Sequence, residues 1–151
     1  MALTAEEARG ELERRKRDEK IRFFIPNGKQ EEFIGLVGDG KLFVGILSSG
    51  NGVGKTACMI NILGNIIWGP QNEWFKKGLF QKWPFPKRAR IVTESKNVEE
   101  IGAIDQEIAH WWPKGRYTRA KAGKLFWSLY ETDNQWIIDK MSYEQDVKEF
   151  E

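Results

Sequence analysis

The feature that most constrains this chain is a succession of three unlike pieces between residues 42 and 68. LFVGIL (42–47) is apolar throughout, SSGNGVGKT (48–56) is rich in glycine, and the segment from Thr56 to Trp68 is apolar nearly all round. An apolar run of that length suits a strand buried on both faces. A helix-length segment that is apolar all round suits a helix beneath a sheet, and Gly69-Pro70 ends it. Between them Gly50, Gly52 and Gly54 permit the dihedrals that curl successive backbone N–H groups around an anion. The expectation is an α/β fold with a mainly parallel sheet and flanking helices, built around a strand, a phosphate loop and a helix.

Set against the pattern G-x-x-x-x-G-K-[ST], Gly54, Lys55 and Thr56 fill the last three positions and Ser49 stands where the first glycine belongs. A glycine-rich turn alone carries no function; the strand before it and the helix after it are the setting that the pattern demands. On this reading Ser49, Gly50, Asn51, Gly52, Val53, Gly54, Lys55 and Thr56 hold the phosphates of a nucleotide. Lys55, the candidate catalytic residue, bridges the β- and γ-phosphates, and the Thr56 hydroxyl is a ligand for Mg²⁺. The helix N-terminus adds its dipole. ATP with Mg²⁺ is the expected ligand. Gln30 is a candidate adenine reader, since a side-chain amide offers one donor and one acceptor to a base edge.

Composition narrows the remaining classes. A chain of 151 residues, 40% hydrophobic and 30% charged, is globular rather than disordered or fibrous. It has no apolar run of about 18 residues and a charged N-terminus, so a soluble intracellular protein without membrane span or secretory signal is expected. The single cysteine, Cys58, makes no internal disulfide. His110 is the only histidine, and one such ligand makes no zinc site. A net charge of +2 is too small to argue nucleic-acid binding, but PKGRYTRAKAGK (113–124) carries five cations and no acid. Within it Arg116, Arg119 and Lys121 are candidates for contact with a DNA backbone, against the ordinary reading of a solvated basic surface.

Residues 1–21 read as a charged helical arm, with Thr4 and Glu7 as a capping box and Glu11/Arg15 and Glu13/Arg17 four apart. Residues 22–151 read as one further domain. A turn at Pro26 to Gly28 feeds a short helix, Arg90 to Thr93 forms a strand, and Asn97 with Glu100 caps a helix running to Pro113. KLFWSLY and NQWIID are β-like runs joined by the turn ETDN.

Three stretches resemble the N-terminal ATPase domain of phage terminase large subunits, the motors that package viral DNA into empty capsids. FFIPNGKQEEFI, with Pro26, Gln30 and Phe33, resembles the family's adenine-reading segment. SSGNGVGKT resembles its phosphate loops, Gly50 and Asn51 matching. The strand RIVTES, the helix ending HWWP and the hairpin leading to SYEQDVKEFE resemble the stretch before its acidic strand. The similarity covers roughly residues 22–151. It implies a P-loop ATPase acting on double-stranded DNA as a homo-oligomeric ring, with portal and small terminase subunits as partners, in the cytoplasm of an infected host cell and away from membranes. Gly52 stands where many such proteins carry an arginine, so that cation comes from elsewhere or from a neighbouring subunit.

Hydrolysis also requires an acid for Mg²⁺ and usually a second to align water. Glu94, Asp139 and Glu131 are the positions considered, and none ends a clean apolar strand. The resemblance therefore implies an ATPase domain cut before its acidic strand, which binds ATP and turns it over weakly or not at all. A helicase-type P-loop ATPase and a non-hydrolysing nucleotide-binding assembly module remain the alternatives.

Overall fold

The computed structural model describes residues 2–41, 44–48, 54–93, 102–120 and 128–142. The chain falls into two compact units, Met1–Pro84 with Glu107–Lys114, and Phe85–Gln106 with Gly115–Glu151.

The described elements of the first unit are helical. Helix α1 (Ala5–Asp18) starts as the sequence predicts, with Thr4 Oγ1 accepting from the Glu7 N–H and the Glu7 carboxylate accepting from the Thr4 N–H. It buries no side chain. Glu11 pairs with Arg15 as expected and with Arg14 as well, but the expected Glu13/Arg17 pair is absent. Glu13 takes Lys16, and Arg17 turns to both oxygens of Asp18 at the helix end, a bidentate geometry that a single i, i+4 contact does not match.

Helix α2 (Gly28–Gly38) follows Asn27, whose side chain caps it. Helix α3 (Lys55–Trp68) buries Cys58, Ile60, Ile62 and Ile67, and also Asn61 and Asn65. Asn65 is satisfied within the helix and at its exit, donating to Asn61 O and accepting from the Gln71 N–H, whereas Asn61 Nδ2 donates to the Ala57 carbonyl and its buried Oδ1 has no hydrogen-bond partner among the described residues. Phe24, Phe33, Ile34, Cys58, Ile62, Phe75 and Phe80 form one apolar cluster, with Leu47 and Trp111 packed against it. Trp112 closes another part of the unit, its indole N–H donating to the Ile60 carbonyl at 3.1 Å.

The expected buried strand at 42–47 is not found. Leu42 and Phe43 lie outside the described residues; residues 44–48 form no strand, and Val44 and Ile46 are 70% and 83% exposed. An apolar run is a strand only where a neighbour supplies the ladder. Among the described residues the ladder is assembled from later ones.

In the second unit β1 (Arg88–Thr93), β2 (Tyr117–Ala120), β3 (Ser128–Thr132) and β4 (Ile137–Ser142) form a sheet of order β1-β4-β3-β2. β1 and β4 are parallel, whereas β3–β4 and β2–β3 are antiparallel. The fold is α/β, but the sheet is mixed and not mainly parallel. The hairpin is the reason: its turn returns the chain directly beside β3, and only the β1–β4 pairing uses a long crossover. The hairpin turn closes with Thr132 Oγ1 accepting from the Trp136 N–H, and Gln135 has φ 71°. Helix α4 (Ala103–Trp111) lies between β1 and β2 in sequence, its first turn in the second unit and the rest in the first. The expected caps Asn97 and Glu100 lie outside the described residues. No helix among the described residues is long and apolar enough to cross a membrane.

Candidate functional site

The strongest candidate lies at the start of α3. Gly54 is the N-cap residue, with φ 72° and ψ 31°, the left-handed region in which glycine alone avoids a Cβ penalty. This turn brings Lys55 and Thr56 into the first helical turn. Being glycine, Gly54 brings no side-chain oxygen to the first N–H groups of the helix. Those donors, with the dipole behind them, suit an anion.

Lys55 is half-buried and lines a cleft of about 630 Å³ together with Asn27, Gly28, Lys29, Gln30, Glu32 and Leu47. The cleft brings together two residues that the sequence reading linked only by expected chemistry, Gln30 and Lys55. Gln30 is buried and both ends of its amide are engaged: Oε1 accepts from the Asn27 N–H at 2.8 Å, and Nε2 donates to the Gly54 carbonyl at 2.9 Å. Ser49, Gly50, Asn51, Gly52 and Val53 lie outside the described residues. A phosphate fits the groups present: a helix N-terminus whose N-cap residue is a glycine, and a lysine lining a cleft. For Mg²⁺ the first unit offers the half-buried Thr56 hydroxyl, and no cluster of three metal-ligating His, Cys, Asp or Glu occurs among the described residues.

The comparisons with known proteins give no name to this arrangement. No family model, curated protein or solved structure matches the chain.

The other candidates lie in the second unit. Asp139 is buried on β4 and forms an ion pair with Arg90 of β1, the Nε–Oδ1 distance being 2.8 Å. Glu131 is exposed on β3, and Glu94 lies outside the described residues. Of the basic segment, Arg116 pairs with Asp133 at 2.7 Å and Arg119 with Asp105 at 3.4 Å, so acids remote in sequence face a stretch that has none of its own. Lys121 lies outside the described residues. His110, in the first unit, is exposed, its ring edge-on to Trp111.

The sequence reading missed the cluster around Asp105. This carboxylate accepts from Lys140 Nζ, Tyr130 Oη and the Gly102 N–H, and Arg119 lies beside it. Asp105, Tyr130 and Lys140 are all at most 4% exposed. Burial opposes ionisation of Asp105, but donation from Lys140 and Tyr130, the Lys140 charge and the Gly102 N–H together hold its pKa below the ordinary value. Burial, then donation to Asp105, raises the Tyr130 pKa well beyond the usual phenol range. The phenol therefore stays protonated and donating. The sequence signal was slight: Asp105 stands three residues after Gly102, the N3 position from which a side chain reaches back to the N-cap amide.

Proposed function

We propose that this chain is the ATP-binding portion of a viral DNA-packaging motor of the large-terminase type, with a P-loop fold around α3. The observation that carries the reading is Gly54 in a left-handed turn at the N-cap of α3, followed by Lys55 lining the cleft that contains Gln30. The stretch Gly-Asn-Gly-Val-Gly-Lys-Thr (50–56) supports it from the sequence side. In this reading the first N–H groups of α3 and the Lys55 ammonium neutralise the β- and γ-phosphates. Thr56 supplies one oxygen to Mg²⁺, which when bound offsets phosphate charge. The complete motor would couple hydrolysis to translocation of double-stranded DNA, as a ring with portal and small terminase subunits in the infected host cytoplasm. Arg116 and Arg119 would meet the DNA backbone by exchanging their present acidic partners for phosphates.

A second reading, a nucleotide-binding assembly module that does not hydrolyse, draws on one observation: Asp139, the buried acid considered for catalysis, is held by Arg90. Both readings require nucleotide binding at the start of α3. Isothermal titration with Mg-ATP tests the shared step. Lys55→Ala is expected to lower affinity to the limit of detection with the circular dichroism spectrum unchanged; equal affinities in mutant and wild type would refute the site. Phosphate release no faster than background is expected from the wild-type chain. Robust turnover lost in Asp139→Asn would instead assign that acid to catalysis.

A further inference from the structure

Gln30 touches two elements at once. Its Oε1 completes the capping box of α2 with Asn27, and its Nε2 reaches the carbonyl of Gly54, 24 residues away. That same carbonyl accepts the first helical bond of α3, from the Cys58 N–H at 2.9 Å. The approach is close: a Cβ built on Gly54 would stand 2.9 Å from Nε2. One buried amide thus fixes the start of α2 to the residue that sets the direction of α3's first N–H groups. We infer that Gln30 is a positioning residue for the phosphate grip, holding the Gly54 carbonyl so that Lys55 and the first N–H groups of α3 face the cleft. The ligand class that depends on it is the polyphosphate, whatever base is attached.

This inference rests on the nucleotide reading of Lys55, and it differs from base recognition in what it makes sensitive. A side chain that reads adenine affects ATP and leaves GTP and inorganic pyrophosphate alone. A side chain that positions Gly54 affects all three alike. The probe is isothermal titration of wild type and Gln30→Met with Mg-ATP, Mg-GTP and Mg-pyrophosphate. All three affinities are expected to fall by a similar factor, about threefold to tenfold for loss of the bond to Gly54 O, the bond from the Asn27 N–H being lost with it.

A second readout needs no ligand. Amide hydrogen exchange at Cys58 is expected to accelerate in Gln30→Met, because the carbonyl that this amide donates to is no longer held. Gln30→Glu separates the tether from the cap. Its carboxylate still accepts from the Asn27 N–H, so the Glu31 amide of α2 stays protected, but it has no proton for Gly54 O and Cys58 exchange still rises. A loss confined to ATP would overturn the inference in favour of base reading. Unchanged Cys58 exchange in Gln30→Met would overturn it even if wild type bound none of the three ligands, a result that would separately defeat the nucleotide reading.

Discussion

The two units handle polar groups in opposite ways. In the helical unit the core around α2 and α3 is apolar, its buried amides Asn61 and Asn65 donate back along their own helix, and none of its described charged residues is buried. In the sheet unit charge is taken inside, where Asp105, Lys140 and Asp139 are each at least 96% buried and matched to partners. The difference teaches where chemistry is available. Asp105 and Asp139 of the sheet unit are buried in ion pairs within their own unit, whereas in the helical unit Lys55, at the start of α3, is half-buried and lines a cleft.

Removing a partner from the sheet unit is expected to have the largest effect. Asp105→Ala leaves Lys140 buried without its counter-ion and should cost about 3–5 kcal/mol, read from chemical denaturation. A cost below about 1 kcal/mol would show that water or another acid reaches Lys140, and would break the contrast. Replacing both members, as Asp105→Leu with Lys140→Met, should recover part of the loss, since a well-packed apolar pair often matches a buried ion pair, while Tyr130 Oη and the Gly102 N–H still lose their acceptor.

The helical unit should respond to volume instead. A Cβ at Gly64 would lie 2.5 Å from Ile21 Cδ1 and 3.1 Å from Trp112 Nε1, the atom that donates to Ile60. Gly64→Ala is therefore expected to cost about 1–3 kcal/mol by overpacking, and a neutral result in denaturation would mean that the Ile21 and Trp112 contacts yield freely.

Acid sharpens the comparison further. The folded pKa of Asp105 is depressed, so its contribution is present above its ordinary value of 3.8 and is lost as pH falls through the lower folded value. In the helical unit the depressed carboxylates lie along α1, such as Glu11 at about 2, or at its C-cap, Glu19, and those of α1 are screened by solvent. Hydrogen exchange followed below pH 4 should therefore open β2–β4 before α3; the reverse order would contradict the assignment. At the alkaline end the sign reverses. Burial pushes the Cys58 thiol from 9.0 up to about 11, so the stability it contributes below 9 is lost as pH rises through that folded value.

The smallest expected effect lies in the hairpin turn. Gln135 holds φ 71°, a conformation costing a non-glycine residue roughly 1 kcal/mol, partly offset by the extra unfolded-state freedom of glycine. Gln135→Gly should raise stability by a few tenths of a kcal/mol in denaturation, and a loss would show that the Gln135 side chain contributes contacts of its own.

What was legible in the sequence was mostly local. The boxes Thr4/Glu7 and Asn27/Gln30 span three residues, the glycine before Lys55 marks the start of α3, and Thr132 to Trp136 carries its own turn chemistry. Asn27's role as the partner of Gln30 was overlooked even so, because the glutamine was read for its chemistry toward a base. The failures are non-local. LFVGIL announces burial without naming a neighbour, and the neighbour of β1 proved to be β4, 49 residues away at the Arg90–Asp139 pair. The Asp105–Lys140 contact spans 35 residues, and Lys140 sits between Ile138 and Met141 in a run that reads as apolar strand interrupted by charge. Pattern at that range carries no partner information.

The central claim is that the start of α3 grips phosphate. Backbone amide shifts of the isotopically labelled chain, followed while Mg-ADP is added, test it most directly. The account predicts that the largest shifts fall on Gly54, Lys55, Thr56 and Ala57, with smaller ones at Gln30 and near-silence in β1–β4. Saturable shifts confined to the sheet unit, or none at millimolar nucleotide, would contradict it.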